Sequence, residues 1–110
     1  MLNSIHLIGN VGRDPELKES GETKFCKFSL ATSTYIKNEN VTEWHNVTCF
    51  GKTAENVARF VKKGSLVYVE GRVQSGEYTN KEGQKVKTFD VIAREVKFLD
   101  RKEKKEDVDF

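Results

Sequence analysis

Thr53-Ala54-Glu55-Asn56-Val57-Ala58-Arg59-Phe60-Val61-Lys62-Lys63-Gly64 is the stretch that breaks an otherwise two-residue alternation along the chain. Its apolar residues fall at 54, 57, 58 and 61, the spacing that lines one face of a helix. Thr53 is placed to cap the N-terminus, with Glu55 in the first turn. Lys62 and Lys63 suit the C-terminal end of the helix dipole, and Gly64 the residue just past it. A single helix is predicted here.

Working outward, the flanking sequence reads as strands. Residues 5–11 form a predicted first strand, closed by Gly12 and by Asp14-Pro15, which holds the only proline. A turn at Gly21-Glu22 leads into a second strand over 25–36. Lys37-Asn38-Glu39-Asn40 is a turn and 41–50 a third strand. The fourth and fifth strands, 66–79 and 86–98, are joined by Asn80-Lys81-Glu82-Gly83, a loop with hairpin turn chemistry. Three strands, a helix and two strands is the order of the OB fold. The predicted class is therefore all-β, a five-stranded antiparallel barrel with one α-helix between strands 3 and 4. Other five-stranded arrangements satisfy the alternation alone.

A chain of 110 residues is enough for one domain and one core. No apolar run approaches a membrane span, and Met1-Leu2-Asn3-Ser4 has no basic region leading into an apolar stretch. Cys26 and Cys49 are then expected as reduced thiols in the cytoplasm. Residues 1–99 are expected to form the domain and 100–110 a short charged tail. The net charge of +2 hides an asymmetry, because residues 100–110 carry four basic and five acidic side chains. A mildly basic body with an acidic end suits an anionic partner for the body and a basic one for the end.

The third strand is the most informative about function. Alternation points His45, Val47 and Cys49 one way and Trp44, Asn46, Thr48 and Phe50 the other. Asn46 and Thr48 are poor core residues, so their face is expected to meet solvent. Trp44 and Phe50 then stand exposed, about 20 Å apart at strand rise. Large exposed aromatics mark binding surfaces. The fourth strand repeats the pattern, with Val67, Val69, Gly71 and Val73 inward and Tyr68, Glu70, Arg72, Gln74 and Tyr78 on the other face. Tyr78 lies close in sequence to Lys81, Lys85 and Lys87.

Aromatics interleaved with lysines suit a single-stranded nucleic acid. Bases offer flat apolar faces, and a ring stacks on any of them without reading sequence. Cations neutralise the phosphates. The candidates are Arg13, Lys18, Lys37, Lys52, Lys62, Lys85 and Lys87.

His-Leu-Ile-Gly-Asn-Val-Gly-Arg-Asp-Pro-Glu (6–16), Phe-Ser-Leu-Ala-Thr-Ser (28–33), Thr-Glu-Trp-His-Asn-Val (42–47), Phe-Gly-Lys-Thr-Ala-Glu (50–55) and Lys-Gly-Ser-Leu-Val-Tyr-Val-Glu-Gly (63–71) resemble the bacterial single-stranded DNA-binding proteins. The likeness spans residues 3–99 in one register. It implies an OB fold, a homotetramer wrapped by single-stranded DNA, and roles in replication, recombination and repair. It implies base-stacking aromatics at Trp44, Phe50 and Tyr78, a phosphate contact at Lys52, and a subunit-interface position at His45. A cytoplasmic, nucleoid-associated location follows.

The pattern is departed from in three places. The family commonly has a fourth aromatic at the end of the second strand, where ungapped alignment puts Ile36, with Tyr35 one residue earlier. Tyr35 is expected to substitute only if that strand is bulged or frayed. Relatives often carry basic residues before Tyr78, where this chain has Gln74, Gly76 and Glu77, which implies a weaker or less salt-sensitive grip. The family's acidic tip, which recruits replication and repair enzymes, is matched by Asp107-Val108-Asp109-Phe110, with almost no linker before it.

Other classes find less support. Cys26, Cys49, His6 and His45 show no CxxC or HxxxH spacing, so no metal or other cofactor is expected. No nucleophile, base and orienting group form a set, so no enzyme is expected either. An OB protein for RNA, an accessory protein that has lost base stacking, and a structural oligomer whose aromatics are subunit contacts use the same residues.

Overall fold

The computed structural model describes residues 1–100; Asp107, Asp109 and Phe110 of the predicted tail lie outside them. The chain runs β1 (Ile5–Val11), β2 (Glu16–Ser20), β3 (Thr23–Ile36), β4 (Glu39–Phe50), α1 (Gly51–Phe60), β5 (Leu66–Thr79) and β6 (Lys85–Phe98). The hydrogen-bonded order is β1-β5-β6-β4-β3-β2, and β1 also pairs with β3. That last pairing, Asn10 opposite Ala31 and Val11 opposite Leu30, closes five strands into a barrel. The expected fold, with its helix between the third and fourth long strands, is the one observed.

Two details differ. Glu16–Ser20 is a further strand that pairs with Thr23–Lys27 along the edge of β3, below the point where β1 joins it. All five of its residues are exposed, so it buries no apolar side chain from which an alternation could be read. In addition, one pairing is parallel: β4 meets β6 at Asn46 opposite Asp90, Val47 opposite Val91 and Thr48 opposite Ile92. The helix carries the chain from β4 into β5, which runs the opposite way, and the β5–β6 hairpin then brings β6 back beside β4 in β4's own direction.

The core is the inward series of the strands plus one face of the helix. Leu30, Val47, Val67, Val69, Cys26 and Cys49 are fully buried. Ala54, Val57 and Val61 from the helix segment join them and Ala58 packs at their margin, as the spacing predicts. Burial of each valine is worth about 1.5–3 kcal/mol. The caps are not those expected. The helix begins at Gly51 with Phe50 before it and no side-chain cap, and it ends at Phe60 with Val61 extended. Gly51 sits at φ 63°, a left-handed value that favours glycine, so the chain turns from β4 into the helix ahead of Thr53. Lys62, Lys63 and Gly64 belong to the following turn. There the Lys63 N–H donates to Asp14 Oδ1 at 2.8 Å and the Gly64 N–H to the Val11 carbonyl at 2.8 Å.

Cys26 and Cys49 face each other across β3 and β4 as free thiols. Burial, with Cys26 adding to it, pushes the Cys49 thiol up to about 12. Burial raises Cys26 as well.

Candidate nucleic-acid interface

Hairpin register decides which side chains share the outer face. β3 and β4 turn at Lys37-Asn38, both at positive φ (48° and 67°), the signature of a two-residue type I′ turn. From Ile36 opposite Glu39 to Phe25 opposite Phe50 the ladder is unbroken. Opposed residues in an antiparallel pair point to the same side. The outer face of this hairpin therefore carries, in successive pairs, Tyr35 with Asn40, Ser33 with Thr42, Ala31 with Trp44, Ser29 with Asn46, Lys27 with Thr48, and Phe25 with Phe50.

Neighbouring strands extend the surface. β2 places Lys18 opposite Phe25 and Glu16 opposite Lys27. On the other side Asp90 pairs with Asn46, and Gln74 with Asp90, so Tyr78, four residues along β5 from Gln74, points the same way. Trp44, Phe50, Tyr78 and Tyr35 thus stand on one continuous face, 61%, 46%, 54% and 66% exposed. Thr48, expected at the surface, is only 8% exposed, because it lies between paired strands and lines a groove with Arg13, Lys27 and Asp90.

Trp44 is seated on glycine. A Cβ added to Gly12 would lie 2.7 Å from Trp44 Cζ3, so the indole lies against the bare backbone of β1's end. Phe50 has Phe25 beside it, the ring centroids 6.4 Å apart. Both aromatics are backed by barrel wall. Tyr35 shares Trp44's side without any bulge, and Ile36 points to the other, so the condition set for Tyr35 by the sequence does not apply.

The predicted cations divide into groups. Lys18 and Arg13 line one groove of about 320 Å³ with Lys27, Asp14 and Glu16. Lys52 stands in the first turn of the helix beside Phe50, and Lys62 in the turn after it. Lys37 forms the tip of the β3–β4 hairpin. Lys85 and Lys87 pair with Thr79 and Glu77, residues that alternate with Tyr78, so both point away from its face. Their nearness to Tyr78 in sequence is not nearness on the surface.

They share their side with Phe89, a 62%-exposed aromatic that the sequence did not single out. Phe89 lines an apolar notch of about 410 Å³ between the two hairpins, with Trp44, His45, Ile5, Val73 and Val91. His45 is half-buried on the core side, where its Nε2 is 2.9 Å from Thr32 Oγ1. Phe25 and Lys27 were also missed. The signal existed, because a two-residue turn at 37–38 fixes every partner on the ladder. The four-residue turn read from 37–40 moves Lys27 from Thr48 to Phe50.

A second exposed sheet surface lies on β1, β5 and β6. Ile8 is exposed there. Ser4, His6, Tyr68, Glu70 and Arg94 form a hydrogen-bonded chain, with His6 Nδ1 2.9 Å from the Tyr68 hydroxyl and Tyr68 donating to Glu70 at 2.9 Å. The bond from Arg94 holds the Glu70 carboxyl below its usual range. The hydrogen bond to Glu70 holds the Tyr68 hydroxyl above its own.

Among the described residues no helix is long and apolar enough to cross a membrane. The comparisons agree with the geometry. A single-stranded DNA-binding protein of Neisseria meningitidis serogroup B is 45% identical over 105 residues, covering 89% of this chain and 60% of that protein. Single-stranded DNA-binding protein 1 of Xylella fastidiosa is 41% identical over 109 residues, 93% of this chain and 80% of the relative. A Staphylococcus aureus single-stranded DNA-binding protein is 43% identical over 107 residues, 93% and 68% respectively. The chain spans about 60% of the length of the Neisseria relatives it matches. The model of the single-strand binding protein family matches residues 2–99, and the chain belongs to that family.

Proposed function

We propose that this protein binds single-stranded DNA with little sequence preference. Bases stack on Trp44, Phe50, Tyr78 and Tyr35, each contributing about 1–3 kcal/mol. Lys52, Lys18, Lys37, Lys62 and Arg13 neutralise phosphates along the same surface. The observation that carries this is the single continuous face on which all four aromatics stand, with the polar or cationic Asn40, Ser33, Thr42, Ser29, Asn46 and Lys27 set between them. Lys85 and Lys87 contribute only to a strand that rounds the edge of the β5–β6 hairpin. The names of the relatives support the same partner.

Binding of this kind protects and organises single strands during replication, recombination and repair, and requires no catalytic group. A homotetramer in the cytoplasm is proposed as the working form. Two surfaces support assembly: the notch beside His45 and the exposed β1–β5–β6 sheet with Ile8. The tip at Asp107, Asp109 and Phe110 is proposed to recruit replication and repair enzymes. Deleting residues 106–110 should leave DNA affinity equal or slightly higher and abolish capture of those enzymes; unaltered capture overturns the tail's role. The binding itself is tested by fluorescence anisotropy with labelled oligo(dT) against duplex DNA of equal length. Strong binding to the single strand and weak binding to the duplex is expected, and equal affinity contradicts the proposal.

A further inference from the structure

We infer that Lys27, together with Arg13, forms a phosphate-binding step midway along the barrel wall, crossed by the strand between the two aromatic platforms at Phe50 and Trp44. The inference rests on the proposed single-strand binding and names a contact within it.

The register carries it. Lys27 lies one ladder pair from the Phe25–Phe50 pair and two from the Ala31–Trp44 pair, on the same face as both. At strand rise those separations are about 7 and 13 Å. A chain that stacks bases at both ends must carry its phosphates over this interval. The remaining ladder residues there, Ser29, Asn46 and Thr48, are uncharged. Arg13 comes in from the segment after β1 and lines both grooves that Lys27 lines. Two cations from different elements thus converge where an anion has to pass.

The cations are available. Among the described residues the ion pairs are Lys24–Glu55, Arg94–Glu70 and Lys97–Glu95, so neither Lys27 nor Arg13 is held by a carboxylate within 4.0 Å. Lys27 is exposed and its backbone is fixed by ladders on both sides, to β2 and to β4. Asp14, the nearest acidic residue in sequence to Arg13, is already bound to the Lys63 N–H. Asp90 lines the further groove, opposite Asn46 rather than Lys27, while Glu16 is the cross-strand neighbour of Lys27 and the carboxylate set directly against the phosphate there. Glu16 therefore sets how strongly this step grips: removing its charge strengthens the contact.

The test is oligo(dT) affinity measured across a salt series for the parent chain and three variants. Each phosphate contact contributes about 0.7 to the slope of log affinity against log salt for a single strand, or about fivefold in affinity at 0.1 M salt. Lys27→Ala is expected to lose about that much affinity and to flatten the slope by about 0.7, with Trp44 still fully quenched at saturation. Glu16→Gln is expected to move affinity the opposite way. Lys97→Ala, which removes the same charge from a residue facing Glu95, is expected to change the slope little. A Lys27→Ala slope equal to the parent's, or a loss no greater than that of Lys97→Ala, overturns this contact alone. A parent that binds no oligo(dT) overturns the proposed function with it.

Discussion

The barrel wall and the two arms that extend from it carry similar aromatics in different mechanical settings. Trp44 lies against Gly12 and beside Ala31, on a strand that carries the buried Val47 and pairs with β3 at the buried Leu30; Phe50 has Phe25 at its side. Tyr35 and Tyr78 stand on the arms, where residues 33–36, 39–43 and 74–79 are exposed on both faces and only a backbone ladder holds them. A ring on the wall is ordered before a base arrives. A ring on an arm is ordered by the base, and that ordering subtracts from the affinity gained. The platforms on the wall should therefore dominate binding, with the arms adding reach.

The largest expected effect separates the two regions by stability. Leu30→Ala, in the wall, should cost about 2–5 kcal/mol in chemical denaturation. Gln74→Ala, on an arm, should stay within about 0.5 kcal/mol. A comparable loss from both would mean that the arms are part of the cooperative core.

Binding gives the next contrast. Trp44→Ala should weaken oligo(dT) binding by about 1–3 kcal/mol with the fold intact. Tyr78→Ala should fall at or below the lower end of that range, about 1 kcal/mol. Equal losses by anisotropy would show that both rings are equally preorganised.

The smallest signal is chemical. The Cys49 pKa of about 12, raised by burial, keeps the thiol neutral, and its stabilising contribution is complete below the unfolded value near pH 9. That contribution is lost as pH rises from about 9 towards 12. Both thiols should resist iodoacetamide at pH 8 in the native protein and react on unfolding. Fast native alkylation would mean that the wall opens as readily as the arms.

Much of this was legible in the sequence because alternation and one helical face are strong signals. The outward side of Trp44, Phe50 and Tyr78 followed from parity, and the family resemblance pointed to the same three residues. β2 was not legible, since a strand exposed on both faces has no apolar period to detect. The helix caps were misread because Gly51 at positive φ starts the turn before Thr53 can act. Lys27 and Phe25 required the β3–β4 register, which a turn misjudged by two residues conceals, and the true side of Lys85 and Lys87 required a β5–β6 loop one residue longer than 80–83. Phe89 extends an inward-facing series past the end of the core, so parity assigned it to an interior that does not reach that far.

Trp44 is the only tryptophan in the chain, which makes its fluorescence the most direct probe of the wall. Titration with oligo(dT) should quench that emission to a plateau, and duplex DNA should leave it unchanged. Tight binding of oligo(dT) with Trp44 emission unaltered would contradict the account, because the strand would then lie somewhere other than on the wall.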